Sequence, residues 1–300
     1  MPAIVVSSTV DLDTLRLRVL HWPGDPSRPA FLLLHGLASN ARFWELVAPA
    51  LADAGHNVWA PDLRGHGQSE KPEVGYDFET IASDIAGLVG ALGIDRPVLG
   101  GHSWGAMVAL EYAVRAPAVR RPQALALIDG GIAQVDDYPG ATWEAVRDRL
   151  RPPRLEGTPL EQLLARLKAS PRPFPLDDVR REIILGNFVV RPDGTVAPNL
   201  SYDHHMTLVR AMWDSPVYRL FGQTRCPVLM VPARRAGVRG VEGDLYTALK
   251  ERGVEHARHS IRHLRVEWMD DTDHDIPLHR PEALARLLLD LAAWNPIDGG

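Results

Sequence analysis

Pro97-Val-Leu-Gly-Gly-His-Ser-Trp-Gly-Ala106 carries the strongest local signal in the chain. Its start, Pro97–Gly100, is a short apolar run of the kind that forms a buried strand. An amphipathic helical pattern begins at Ala106. Between the two lies Gly101-His-Ser-Trp-Gly105, a serine with a glycine two residues away on each side. The stretch predicts a strand, a sharp turn and a helix, with the hydroxyl of Ser103 projecting from the turn as a nucleophile.

Similar apolar runs recur on both sides of this stretch and predict further buried strands. They are Ala30–Leu34, Asn57–Ala60, Ala124–Ile128 and Pro227–Val231, with a last candidate at Arg265–Met269. Leu15–His21 alternates apolar and polar residues, which indicates a half-buried strand with Ile4–Val6 as a candidate hairpin partner. Amphipathic helical segments separate the runs. Strand–helix alternation predicts an α/β fold with a mostly parallel central sheet flanked by helices.

The alternation stops between about residues 132 and 222, where no strong strand pattern occurs. Prolines cluster there, and helical patches lie between them: Thr142–Leu150, Leu160–Ala169, Asp177–Leu185 and Asp203–Trp213. We interpret the segment as a helical cap inserted after the sixth strand. The predicted organisation is therefore core residues 1–131, a cap at 132–222 and the rest of the core at 223–300.

Composition excludes several classes of function. The 300 residues carry 33 Lys and Arg against 38 Asp and Glu, a formal net charge of −5, so no basic surface for nucleic acid is expected. One cysteine, Cys226, cannot form an intramolecular disulfide. The first residues lack the pattern of a signal peptide, and no apolar stretch is long enough to span a membrane. We expect a soluble, cytoplasmic protein with no membrane partner; the oligomeric state stays open.

His35-Gly36-Leu37 follows the Ala30–Leu34 run and is a candidate oxyanion site. Acyl transfer needs backbone N–H donors aimed at the developing oxyanion. The amides of Leu37 and of Trp104, the residue after the candidate nucleophile, are the natural pair. We place His35 and Gly36 beside the substrate, and we expect the His35 side chain to hydrogen-bond the loop.

A serine nucleophile needs a positioned general base, usually a histidine. The chain has 12 histidines, so position must select among them. His274 lies between the last candidate strand and the last helix, where a loop can fold back over the strand ends. Nucleophile, acid and histidine would then follow one another in that order along the chain.

These features together resemble the α/β-hydrolase superfamily, and within it the cap-bearing serine esterases and lactonases. The matching motifs are His35-Gly36, Asp62–Ser69, the turn at Ser103, and His274 followed by Arg280-Pro-Glu282. The resemblance implies cofactor-independent hydrolysis at a carbonyl carbon. In the haloalkane dehalogenases and epoxide hydrolases of this fold, an aspartate stands where this chain has Ser103. We interpret Asp62–Ser69 mainly as a structural loop beside the site.

The position of the triad acid departs from the family pattern. Most relatives carry it after the strand that matches Pro227–Val231, where this chain has Ala236. Asp129, at the end of the Ala124–Ile128 run, is our predicted acid, since some relatives carry theirs there. The competing interpretation of Asp129 is a turn-capping carboxylate. The alternative acid is Asp244, then Glu242; Asp271 and Asp273 are disfavoured by their closeness to His274.

The predicted reaction is hydrolysis of a hydrophobic ester or lactone through an acyl-enzyme. Trp104, Trp143 and Trp213 are candidate lining residues, although core packing explains each equally well. The alternatives on the same triad are C–C bond hydrolysis and perhydrolysis. A further alternative is a non-catalytic receptor that retains the pocket.

Two histidine clusters are candidate metal sites by composition, but we predict that neither binds a metal ion. The first, in an expected surface connection, comprises His256, His259 and His263. The second, Asp203-His-His205, opens a cap helix, with Asp203 as the expected N-cap. Cys226 is expected to be buried and inert.

Overall fold

The computed structural model describes residues 4–138, 140–234 and 241–295, with side chains except at 241–244. The strands of these ranges, in chain order, are β1 (Val6–Asp11), β2 (Arg16–Trp22), β3 (Phe31–Leu34), β4 (Val58–Pro61), β5 (Val98–His102), β6 (Ala124–Ile128), β7 (Thr158–Pro159), β8 (Phe188–Val190), β9 (Thr195–Pro198), β10 (Val228–Val231), β11 (Ala233–Arg234), β12 (Leu264–Val266) and β13 (Met269–Asp270). The helices are α1 (Ala48–Asp53), α2 (Phe78–Ala91), α3 (Trp104–Arg115), α4 (Trp143–Leu150), α5 (Leu160–Ala169), α6 (Asp178–Leu185), α7 (Tyr202–Asp214), α8 (Val217–Phe221), α9 (Val241–Ser260), α10 (Ile276–His279) and α11 (Pro281–Ala293).

The central sheet has eight strands in the order β1-β2-β4-β3-β5-β6-β10-β12. β4 and all strands beyond it run parallel, whereas β1 and β2 are antiparallel to their neighbours. The predicted fold class, a mostly parallel sheet flanked by helices, is confirmed. The hairpin partner of β2 is Val6–Asp11 and not Ile4–Val6. Apolar alternation could not reveal this edge strand, because most of its residues are exposed.

Two apolar layers cover the faces of the sheet. Leu125 and Leu127 of β6 pack in the layer that holds α2 and α3, whereas Ala124 and Ile128 pack in the layer that holds α1 and α11. Side chains of a strand alternate between faces, so a strand buried on both sides needs apolar residues throughout. This requirement explains the continuous apolar runs. It also places the end of β5 between two helix layers, at the carboxyl edge of the sheet.

The segment between β6 and β10 holds α4 to α8 and a small antiparallel sheet in the order β7-β9-β8. The segment interpreted as a helical cap therefore also contains a small sheet, which the sequence pattern did not indicate. Its strands are two to four residues long, and the side chains of Val189 and Val190 in β8 are half exposed. Such short, exposed strands leave no apolar run in the sequence.

Three smaller expectations are also corrected. The candidate strand Arg265–Met269 is split into β12, which joins the central sheet, and β13, which pairs with β11. His256 and His259 lie on helix α9 and not in a surface connection. Ser201, not Asp203, caps α7, because its side chain accepts the N–H of His204. No helix in the described part of the chain is long and apolar enough to cross a membrane.

Candidate active site

Ser103 occupies a one-residue turn between β5 and α3. Its backbone lies at φ 55° and ψ −121°, a conformation that non-glycine residues rarely adopt. A Cβ on Gly101 would lie 2.2 Å from the carbonyl oxygen of Gly105, and a Cβ on Gly105 would lie 2.3 Å from that of His35. Neither site has room for a side chain. The two glycines therefore allow the turn that projects the serine from the carboxyl end of β5.

The neighbouring strand approaches this turn equally closely. A Cβ on Gly130, which follows β6, would lie 2.1 Å from the carbonyl oxygen of Ser103. Real Cβ atoms do not approach backbone oxygen atoms that closely. Gly130 thus allows the loop after β6 to lie directly against the turn, and this contact brings the preceding residue, Asp129, to the site.

Gly130→Ala is expected to destabilise the fold by about 1–3 kcal/mol, because the new methyl group must displace backbone atoms. Gly222→Ala is the matched control, since a Cβ there meets nothing within 4 Å and Gly222 has a helical φ of −65°. Urea unfolding of both variants measures the effect. Equal stability of the two variants would contradict the close approach of Gly130 to Ser103.

Three predicted residues meet at the carboxyl edge of the sheet. His274 Nε2 lies 2.9 Å from Ser103 Oγ, and His274 Nδ1 lies 2.6 Å from Asp129 Oδ2. The Nδ1–H group donates to the carboxylate, so Nε2 is free to accept the serine proton. The side chain of Asp129 is 1% exposed, and that of His274 is 51% exposed. The arrangement has the geometry of a nucleophile, a general base and an orienting acid.

Asp129 is held on both of its oxygen atoms. Oδ1 accepts the backbone N–H of Ala233 at 2.7 Å and lies 2.7 Å from Lys250 Nζ, while Oδ2 faces His274. Burial opposes the carboxylate charge, but the interactions of the carboxylate with His274 and with the Lys250 ammonium lower the pKa of Asp129 to about 2. Asp129 is therefore ionised at neutral pH. Lys250 was not among the residues predicted from the sequence, although it is one of only three lysines in an arginine-rich chain.

The histidines around the turn differ in their electrostatics. Burial lowers the pKa of His35 to about 4 and those of His66 and His102 to about 3, so all three are neutral at pH 7. Burial also opposes the charge of His274, yet its hydrogen bond with Asp129 raises its pKa above the usual 6.5. Of these four residues, His274 alone has a pKa that its surroundings raise and do not lower, so it is the one suited to accept a proton as a general base.

His102, the residue before the serine, anchors the loop that carries the base. Its Nε2–H donates to the backbone carbonyl oxygen of His274 at 2.9 Å, and the two rings lie 4.7 Å apart. This contact links the end of β5 directly to the segment after β13. No local pattern in the sequence indicates this role of His102, because its partner lies 172 residues away.

The loop after β3 lies beside the serine. A Cβ on Gly36 would lie 3.2 Å from Ser103 Cβ, so the next residue, Leu37, follows directly at the site. His35 is fully buried; its Nδ1–H donates to the Gly36 oxygen and its Nε2 accepts the N–H of Leu63. The Trp104 amide is the first of α3, and such amides lack an intrahelical acceptor. The oxyanion roles of Leu37 and Trp104 stay predictions.

The Asp62–Ser69 segment supports the loop after β3 through buried contacts. Asp62 Oδ1 accepts the N–H of Ala41, and His66 Nε2 accepts the N–H of Ala38. Arg64 and Asp84 form a buried two-point ion pair at 2.7 and 2.8 Å. These contacts favour the structural interpretation of the segment.

A cavity of about 1120 Å³ opens in front of Ser103 and His274. Apolar side chains dominate its inner wall. They are Met107, Ile132, Val135, Val146, Leu150 and Met212. Lys250, Arg149, Arg234 and two tyrosines, Tyr138 and Tyr246, add polar groups.

The tryptophans proposed as lining residues do not line this cavity. Trp143 and Trp213 pack on each other with ring centroids 6.3 Å apart, and Trp104 is fully buried and stacks on His66. His35 and Gly36, predicted beside the substrate, are also absent from the lining. Bulky aromatic residues in an amphipathic helix satisfy core packing as readily as a pocket, and the sequence pattern does not distinguish the two cases.

Other predicted residues lie away from this site or outside the described part. Ala236 and the side chains of Glu242 and Asp244 lie outside the described residues. Among the described residues, no group of three or more His, Cys, Asp or Glu side chains is placed to hold a metal ion. His256 stacks on Tyr218. Cys226 is buried, and burial raises the pKa of its thiol to about 12.

Comparison with known proteins identifies the fold. Residues 29–171 match the family model described as the alpha/beta hydrolase fold. A crystal structure of E-2-(acetamidomethylene)succinate hydrolase superposes with a TM-score of 0.74 at 23% identity, over 97% of this chain and 100% of that one. The chain has the α/β-hydrolase fold.

Curated relatives match this chain over shorter segments. Epoxide hydrolase A of Mycobacterium tuberculosis is 45% identical over 101 residues, which is 33% of this chain and 31% of the relative. The 2-(acetamidomethylene)succinate hydrolase of Mesorhizobium japonicum is 37% identical over 116 residues, 39% of this chain and 40% of the relative. The chain thus spans about a third to two fifths of the length of these relatives.

Proposed function

We propose that the protein is a serine hydrolase that cleaves hydrophobic carboxylic esters or lactones. One observation carries the proposal: Ser103 Oγ, His274 and Asp129 form a continuous hydrogen-bonded chain that opens into the cavity. The similarity to proteins named as hydrolases supports the broader class of activity. The geometry of this chain's own residues supports the narrower assignment.

The mechanism follows from the direction of these hydrogen bonds. Ser103 Oγ attacks the carbonyl carbon while His274 Nε2 takes its proton, and Asp129 stabilises the imidazolium. The oxyanion forms beside the amides of Leu37 and Trp104. His274 then returns the proton to the leaving alcohol, and an acyl ester of Ser103 remains. Water attacks that ester with His274 again as base, which releases the acid and restores the serine.

The nucleophile favours carbonyl chemistry over epoxide opening, despite the names of some relatives. A carboxylate that opens an epoxide forms an ester, and water can hydrolyse an ester. Ser103 would instead form an ether, which has no carbonyl carbon for water to attack. The enzyme could not complete a cycle by that route. We therefore propose esters or lactones as substrates.

The cavity supports a hydrophobic substrate. Its volume of about 1120 Å³ exceeds the roughly 300–1,000 Å³ of most small-molecule sites, and its inner wall is largely apolar. Each methylene group that enters an apolar site contributes about 0.8 kcal/mol. An acyl chain of several carbons is therefore expected to bind better than acetyl.

Hydrolysis of p-nitrophenyl acetate, butyrate and octanoate by the purified protein tests this proposal. We expect kcat/KM to rise with chain length, by up to about tenfold from acetate to butyrate. A decline along the series would contradict the hydrophobic acyl site. Absence of turnover of all three esters by the folded protein would contradict the esterase assignment and favour the receptor alternative.

A further inference from the structure

Lys250 lies against the carboxylate that orients the candidate base. Its Nζ is 2.7 Å from Asp129 Oδ1 and donates to the carbonyl oxygen of Ala233 at 2.8 Å. The side chain of Lys250 is 20% exposed, and it reaches this position from helix α9. Ala233 therefore binds both groups, because its N–H donates to Asp129 and its carbonyl oxygen accepts from Lys250.

The contact matters because of the charge balance around Asp129. A carboxylate that is 1% exposed needs a counter-charge, since an uncompensated buried charge is strongly unfavourable. Two groups can supply it, the ammonium of Lys250 on Oδ1 and a protonated His274 on Oδ2. With the ammonium in place, the carboxylate is already balanced and His274 can remain neutral. Without it, protonation of His274 would become the means of balancing the charge.

We propose that Lys250 is a positioning residue: it supplies the counter-charge of Asp129 in the free enzyme and so keeps His274 unprotonated to a lower pH than would hold without it. This proposal rests on the proposed function. Only the unprotonated ring can accept the proton of Ser103. Lys250 is not a catalytic residue in this assignment, because it acts on the base through Asp129. It does so at the oxygen atom opposite to the one that His274 uses.

The other titratable groups near His274 either raise its pKa or are neutral at pH 7. The carboxylates of Asp275 and Asp129 raise the pKa of His274, whereas Lys250 lowers it. The carboxylate of Asp273 accepts the backbone N–H of His274, and the neighbouring His102 ring is neutral at pH 7. Among these groups, Lys250 is the cation that opposes protonation of the base. Arg234, the residue after Ala233, is paired with Glu251 and Asp270.

The test compares the pH dependence of kcat/KM among variants that separate charge from hydrogen bonding. Lys250→Met removes both, Lys250→Gln keeps a donor for the Ala233 carbonyl, and Lys250→Arg keeps the charge. Lys168→Met, on the exposed surface of α5, controls for loss of a lysine elsewhere. The acid limb is the part of the pH profile in which kcat/KM falls as His274 becomes protonated. In Lys250→Met and Lys250→Gln we expect this limb to move up by about one pH unit, so that kcat/KM at pH values on the limb falls roughly tenfold. Lys250→Arg and Lys168→Met are expected to keep the wild-type limb.

Two results would overturn this assignment. One is an unchanged acid limb in the charge-free variants; the other is a loss of kcat/KM that is equal at every pH, which indicates a structural role alone. If Lys250→Met does not fold, Lys250→Gln carries the comparison. NMR titration of the His274 imidazole in the wild type and in Lys250→Gln measures the same shift without a substrate. The two proposals can therefore fail separately. If the wild type hydrolyses no ester but the His274 pKa still differs between the wild type and Lys250→Gln, the proposed function is refuted and the effect of Lys250 on His274 stands.

Discussion

Ser103→Ala is expected to lower kcat/KM for p-nitrophenyl butyrate by about 10⁴-fold or more, because no other group in the proposed mechanism attacks the carbonyl carbon. Residual rate above that of water would come from substrate binding and the oxyanion donors alone. The fold should persist, because the substitution removes only the hydroxyl group and leaves the backbone strain at φ 55° unchanged. Steady-state kinetics together with thermal unfolding separate loss of chemistry from loss of structure.

Ser170→Ala serves as the control for this variant, because Ser170 ends helix α5 on the exposed surface of the cap. It should match the wild type in both assays. Turnover by Ser103→Ala close to the wild-type rate would show that ester cleavage does not use this serine. The acyl-enzyme mechanism would then be wrong, whatever the stability of the variant.

Asp129→Asn is expected to lower kcat by about 10²–10⁴-fold, because an amide can present an N–H to His274 and favour the wrong tautomer. The substitution also removes the negative charge that stabilises the imidazolium. In addition, it leaves Lys250 beside a neutral group. The pH dependence of kcat/KM should therefore show a lower apparent pKa for the base, in the opposite direction to the Lys250 variants.

Asp244→Asn tests the rival assignment of the acid under the same conditions. We expect its turnover to be close to that of the wild type. If Asp244→Asn abolishes turnover while Asp129→Asn leaves it unchanged, the acid is Asp244, and the contact between Asp129 and His274 is structural.

Much of the core fold was predictable from local patterns. A strand buried on both faces must be apolar throughout, so β3, β4, β5, β6 and β10 each appeared as a short apolar run whose ends lie within two residues of the observed ones. The turn at Ser103 was predictable for the same reason, because its glycines meet backbone atoms only a few residues away or in the adjacent strand. These requirements act over short distances and leave a direct record in the sequence.

The partners of Ser103 were predictable only as candidates. Chain order and the position of a strand end pointed to His274 and Asp129, but the contacts themselves join residues 171 and 145 positions apart. Whether a carboxylate reaches a histidine depends on the alignment of β6 with the segment after β13. No local pattern encodes that alignment, and Asp244 consequently remained open at the sequence level.

The remaining features depended on tertiary packing. The small sheet of the cap is made of strands too short and too exposed to leave an apolar run, and the cavity wall is set by how the cap and α9 lie over the sheet. Lys250 shows the same limit most clearly. A lone lysine on a helix is ordinarily solvated, and only the packing of α9 against the strand ends puts its ammonium 2.7 Å from a buried carboxylate. Sequence patterns record what each residue needs from its neighbours in the chain, whereas charge balance at a site depends on groups that only folding brings together.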